Sequence, residues 1–167
     1  VQALSSSFDI ADVGGRTILS FTPDETIFDY YQYKEHIVFH LLRSYCHANK
    51  GLVIIYDGIK MTTHNGMLDL MKERMSYENG YCYPIIHFKG NDIEVAFTHK
   101  TSDIEDYHSF VNGVKIVGGT HLTAFKSAFA RIISDFYADQ DLMEEDILKG
   151  ISAAISIDIT EPLREYG

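Results

Sequence analysis

The chain has 167 residues, 46% of them hydrophobic and 23% charged, with two cysteines and a formal net charge of −10. These figures fit a soluble globular domain with a core of ordinary density. They argue against a disulfide framework or a zinc site. They also argue against autonomous binding to nucleic acid, whose phosphates select a basic surface.

The first seven residues carry no basic stretch followed by a long apolar one, and the longest apolar run, residues 52–56, is far too short to cross a bilayer. A reducing cytoplasm, with no membrane partner, is the expected setting.

Residues 17–21 read as a short strand, ended by the loop signal Thr22-Pro23-Asp24. Between residues 33 and 49 the apolar positions Ile37, Val38, Leu41, Leu42 and Tyr45 follow helical spacing, with Gly51 as a stop. Residues 52–56 read as a buried strand, turned by Asp57-Gly58 into residues 59–63. Asn65 is placed to cap a helix with the stripe Met67, Leu68, Met71 and Met75.

Residues 84–88 and 92–98 read as a strand pair. In the second, Ile93, Val95 and Phe97 alternate with Glu94 and Ala96, which predicts one buried face. Residues 107–111 lead into the hairpin signal Asn112-Gly113. Thr120 is placed to cap a helix with the stripe Leu122, Phe125, Phe129, Ile132, Ile133 and Phe136. That helix is the expected packing centre, with Phe125 and Phe129 against the sheet and Lys126 pointing away. A short acidic helix around residues 143–149 precedes a last strand with Ile151, Ala153, Ile155, Ile157 and Ile159 on one face. Helices among mostly hairpin-linked strands predict an α+β fold, a sheet with helices packed on one face.

Local chemistry is sparse. His36 and His40 are four residues apart on a helix but no third ligand is indicated, so they read as solvated. Gly118-Gly119 at a helix start could offer amides to an anion, though paired glycines more often make a tight turn. Glu144, Glu145 and Asp146 suit the positive end of a short helix. The residues alone describe a domain without a complete active site.

The run Gly118-Gly119-Thr120-His121, continued by Phe125, Lys126, Ala128 and Arg131, resembles a stretch of the B subunits of bacterial type IIA DNA topoisomerases, the gyrase and topoisomerase IV kind. Phe21, Pro23 and Asp24 resemble that family's F-x-P-D element. Leu42-Arg43 with Asn49-Lys50-Gly51 is similar to its L-R…N-x-G helix end, and Ile93-Glu94-Val95-Ala96 to its strand. The run from Glu145-Asp146 to Ile159 keeps the same order.

The resemblance implies a transducer domain, the ribosomal-protein-type second domain with a left-handed βαβ crossover, at residues 16–167. It implies a remnant of a GHKL ATPase domain or its junction at residues 1–15, where Val1-Gln2-Ala3-Leu4-Ser5 resembles a family element. It also implies ATP and Mg²⁺ for the whole subunit, with none bound by this fragment, which should be inactive alone and hold no catalytic or metal-binding residue. The implied partners are the A subunit, DNA and a dimer of ATPase domains. Lys115 and Lys100 are the candidates to face the DNA cavity, and Gly118, Gly119, Thr120 and His121 are the family motif. Three departures stand out: the short stretch at residues 6–20, Val117 in place of a polar residue, and a family lysine that would fall beyond Gly167. Alternatives are the second domain of a MutL-type or heat-shock GHKL ATPase, or a non-enzymatic interaction module.

Overall fold

The computed structural model describes residues 8–12, 17–24, 26–28 and 31–161. The expectations for residues 1–5 and 162–167 fall outside them. The chain divides into two units, residues 1–38 and 39–167.

In the first unit β1 (Phe8–Asp12) pairs antiparallel with β2 (Thr17–Phe21). The second strand is the one the sequence announces; β1 carries no comparable signal. Asp24 then closes a turn, its carboxylate accepting the Thr26 N–H at 2.9 Å, as aspartate commonly does at turns.

Helix α1 (Glu35–Ala48) leads into the second unit. Its buried side chains are Cys46 and His47, whereas Ile37, Leu41 and Tyr45 of the expected stripe are exposed. Next, β3 (Ile54–Tyr56) and β4 (Ile59–Met61) form a hairpin of their own. Asp57 and Gly58 both take positive φ there, as the tight turn requires. The run at residues 52–56 is therefore not the buried strand expected. A two-stranded ribbon has no layer covering its outer side, and Leu52, Val53 and Ile55 stay exposed.

Helix α2 (Met67–Tyr77) follows, and then the main sheet: β5 (Ile86–Lys89), β6 (Ile93–His99), β7 (Asp106–Val111), β8 (Val114–Ile116) and β9 (Ile151–Ile157). Its order is β5-β6-β9-β7-β8, so the last strand is the central one. It runs antiparallel to β6 and parallel to β7. Helices α3 (Thr120–Phe136) and α4 (Glu144–Leu148) connect β8 to β9. Among the described residues no helix is long and apolar enough to cross a membrane.

The α+β class holds, but the helices do not share one face. Met67, Leu70 and Met71 of α2 pack with Ala96, Phe110 and Ala154. Leu122, Phe125 and Phe129 of α3 pack with Val95, Phe97, Ala153 and Ile155, which have the opposite parity. Strict alternation predicted a single buried face. The small Ala96 and Ala154 let a second helix approach the other one, so both faces of β6 and β9 are covered.

The crossover's handedness follows from residue chirality. Seen running upward with a side chain toward the viewer, an L-residue in a strand turns its own N–H and C=O to the right. In β9 the odd-numbered side chains face α3. The Ile157 carbonyl accepts the Asn112 N–H on the β7 side, and the Gly150 carbonyl accepts from Lys100 on the β6 side. Viewed from α3, β7 thus lies to the right of β9, and the path from β7 through α3 to β9 advances leftward. The connection is left-handed, against a majority of about 98% for right-handed ones.

Two details of α3 depart from expectation. Thr120 opens the helix but Gly119 is the cap, without a side-chain hydrogen bond. Lys126 does not point away: its Nζ lies 2.7 Å from Glu105 Oε2 and 4.4 Å above the Tyr107 ring. Phe129 packs edge-on against Phe97 at 5.4 Å, while Phe136, on the same stripe, is 77% exposed because the sheet ends beneath it. Phe129→Ala should therefore cost about 3 kcal/mol, the low end for a phenylalanine that is packed but not sealed. Phe136→Ala should cost less than about 0.5 kcal/mol. Urea melts of the two variants measure the difference, and equal midpoints would refute this packing of α3.

Candidate functional site

The Gly118-Gly119-Thr120-His121 run joins the edge strand β8 to α3. Gly119 has φ +149°, and a Cβ there would come within 2.9 Å of the His121 ring. Its carbonyl accepts the N–H groups of Leu122 and Thr123 at 3.1 and 3.2 Å, which starts the helix. His121 turns back so that its Nε2 meets the hydroxyl of Ser109 on β7. Burial pushes the His121 pKa down, so the neutral ring can accept from the Ser109 hydroxyl. Ser109 is itself buried. This is a partly buried polar tie between the helix start and an inner strand. Among the described residues no carboxylate orients the imidazole, so the pair lacks the third member of a nucleophilic triad.

Glu94, in the stretch Ile93-Glu94-Val95-Ala96, carries a second tie. Its side chain is 6% exposed. One oxygen accepts the Met67 N–H at 3.1 Å, at the start of α2, and lies 3.0 Å from His87 Nε2. The other is paired with Lys50 at the end of α1. A buried carboxylate is tolerable only with partners of this kind, and the positive end of a helix is one of the best. Gly66 is required beside it, since a Cβ there would come within 2.9 Å of Glu94 Oε2. Asn65 does not make the expected cap; the Met67 N–H at the helix start is taken by Glu94 instead. From the first turn Asp69 accepts the backbone N–H of Asn65 at 2.8 Å and that of His64 at 3.1 Å.

The two lysine candidates are not brought together. Lys100 sits at the far end of β6, with Nζ 2.8 Å from Glu78 Oε2, 3.2 Å from Asp106 Oδ2 and 5.2 Å above the Tyr81 ring. Two carboxylates already hold its charge. Lys115 is exposed on β8 and lines a cleft of about 360 Å³ with Arg43, His47, Arg74 and His108. Asp106 is the centre of the Lys100 group, with Arg74 Nη2 3.0 Å from Oδ2. His108 Nε2 is 3.4 Å from Oδ1, near enough for charge attraction but poorly aimed for a hydrogen bond. His108, Arg74 and Lys100 together hold the Asp106 carboxyl well below the usual carboxylate range. Neither Glu94 nor Asp106 stands out as a hub in the sequence. Glu94 does leave a signal, an acid at a buried position of an apolar strand; Asp106, at a strand start, leaves none.

The DNA gyrase B family model matches residues 57–166. Among curated proteins, the chain is 34% identical over 150 residues to the B subunit of DNA topoisomerase 4 from Borreliella burgdorferi, covering 89% of this chain and 25% of that one. It is 31% identical to the DNA gyrase B subunit of Thermotoga maritima, covering 87% and 27%. The chain thus spans about a quarter of the length of these relatives. Of solved structures, the 43K ATPase domain of Thermus thermophilus gyrase B superposes with TM-score 0.62 at 24% identity, covering 87% of this chain and 45% of that one. The ATPase region of Saccharomyces cerevisiae topoisomerase II gives 0.69 at 18%, covering 82% and 36%. The last two likenesses bear on the fold.

The Asp106 group sets a pH dependence. A carboxyl with a depressed folded pKa stabilises the fold above its unfolded value, about 3.9, and that contribution fades as pH falls through the folded value. The chain should weaken below about pH 4. Asp106→Asn should lose about 1–3 kcal/mol at pH 7 and then decline less steeply in acid. Urea midpoints at neutral and acid pH test this, and parallel declines would show that Asp106 titrates freely.

Proposed function

The chain belongs to the DNA gyrase B family, and from that premise we propose that it is the transducer of a type II topoisomerase B subunit, relaying nucleotide state to DNA strand passage. ATP and Mg²⁺ are then held by other parts of the subunit, and this segment supplies no catalytic group. The partners are the A subunit, a second ATPase domain and the DNA segment in transit, and the setting is the cytoplasm.

The observation that carries this reading is how α3 is mounted. Its first turn is tied into β7 through His121 and Ser109, and its aromatic residues lie across β6, β9 and β7, opposite α2. A helix held at its start and bedded on one layer moves as a body with the sheet. That is what a relay needs, because packed layers shift between discrete arrangements rather than deform smoothly. The DNA-facing role rests on Lys115 alone, since Lys100 is engaged in ion pairs.

The test places this chain in the gyrase B subunit of Thermotoga maritima in place of the matching segment, with the A subunit present. The chimera should hydrolyse ATP and pass strands. His121→Ala should leave ATP hydrolysis within about twofold while strand passage falls about tenfold or more, a loss equal to one broken tie of about 1.4 kcal/mol. Equal losses of both activities would mean that His121 acts on folding rather than on coupling.

A further inference from the structure

Among the described residues, four buried side-chain atoms have no hydrogen-bond partner: His47 Nδ1, Arg74 Nε, His108 Nε2 and the Tyr107 hydroxyl. Such orphans are rare in folded proteins, because each has given up its bonds to water. Three of the four, all nitrogens, belong to residues lining the same cleft between α1, α2 and the β7–β8 hairpin. His40, Arg43 and Lys115 also line it. His47 is the most enclosed, with a side chain 4% exposed.

The charges do not all cancel. Arg43 is paired with Glu73, the one acid on the cleft wall among the described residues, at 2.8 Å. Arg74 is shared between Glu78 and Asp106. Lys115 is in no ion pair among the described residues. His47 Nε2 lies 3.1 Å from Glu73. A carboxylate can only accept, so Nε2 carries the hydrogen and Nδ1 is bare while the ring is neutral. Burial, reinforced by the Arg43 charge and offset in part by Glu73, keeps the ring neutral. An anion seated against Nδ1 would bring a proton onto it, and Arg74 Nε already offers one.

We propose that this cleft is an oxyanion site taking a phosphate group, with Lys115 supplying the free charge and His47, Arg74 and His108 the hydrogen bonds. A tetrahedral oxyanion has enough acceptor oxygens to satisfy all three nitrogens at once, which a chloride ion or a single water does not. Binding draws a proton onto His47, so occupancy rises as pH falls. The other groups facing that ring or the cleft are Glu73, Asp69, Arg74 and Tyr77 on α2, Arg43 and His40 on α1, His108 on β7 with Asp106 beside it, and Lys115 on β8.

Calorimetry on the whole 167-residue chain tests this with sulfate, which stays doubly charged across the range, and with inorganic phosphate. One site is expected, with sulfate bound about tenfold more tightly at pH 6 than at pH 8. Lys115→Ala, on an exposed strand and outside the core, should weaken binding about five- to tenfold. Nitrogen NMR of the histidines should show His47 Nδ1 gaining a proton as sulfate is added. A short DNA duplex that displaces phosphate identifies a nucleic-acid backbone as the natural source, and one that does not identifies a free phosphate. No binding at about 20 mM anion at pH 6, or binding that leaves both the His47 signal and the Lys115→Ala affinity unchanged, overturns the site.

Discussion

Strand β9 is enclosed on both edges and both faces. Its backbone groups must find partners in β6 and β7, because no water reaches Ile151, Ser152, Ala153 or Ala154. Those residues are small where helices must come close: Ala154 lies beneath α2 and Ala153 beneath α3. The central strand is therefore made of what will fit, and the two helices are separated by a single layer. It is also the last strand among the described residues. In the sheet β6 and β7 are joined through it, so the five strands cannot close into one sheet until β9 is in place. A disturbance at α3 reaches α2 by one route, through β9 and its neighbours, which gives the proposed relay a physical path.

The polar ties sit where that layer meets its helices. Glu94 fastens the start of α2 to β6, and Ser109 with His121 fastens the start of α3 to β7. Apolar packing is nondirectional and would let a helix slide along its groove, whereas a buried polar contact has one geometry and is costly to leave unmade. The two family-like stretches, Ile93-Glu94-Val95-Ala96 and Gly118-Gly119-Thr120-His121, each supply one of these registering contacts. Glycine stands at both sites for the same reason. Gly66 and Gly119 each take a positive φ and leave no room for a side chain beside the buried group.

Hairpins were the most legible part of the fold, because Asp57-Gly58 and Asn112-Gly113 impose their turns locally. Helices were legible as helices, but not which of their sides is buried. In α1 the apolar stripe at Ile37, Leu41 and Tyr45 faces outward, and in α3 the stripe outruns the sheet at Ile132 and Phe136. Burial depends on what lies opposite, and periodicity carries no information about that. The same limit concealed the second covered face of β6, where Ala96 counts with Glu94 on the open side of the alternation and is a place for a helix to approach. The site was readable only in part. The glycine-histidine run declared itself through resemblance, while the Asp106 group and the cleft are assembled from residues far apart in the chain, which no local pattern joins.

A chain of net charge −10 that is proposed to work beside DNA poses a contradiction only if its charge is spread evenly. It is not. Asp135, Asp139, Asp141, Glu144, Glu145 and Asp146 are all exposed and fall together at the end of α3 and through α4. The cleft, by contrast, is lined by Arg43, Arg74 and Lys115, on the β7–β8 side of the sheet and on the face that α2 covers. At physiological salt, exposed charges are screened beyond about 8 Å, so each region sets its own local field. A polyanion would be turned away from the α4 end, and the Lys115 hairpin offers it a more favourable approach. Segregated charge of this kind gives orientation rather than affinity. Orientation without tight binding suits a domain that must guide a passing segment and release it.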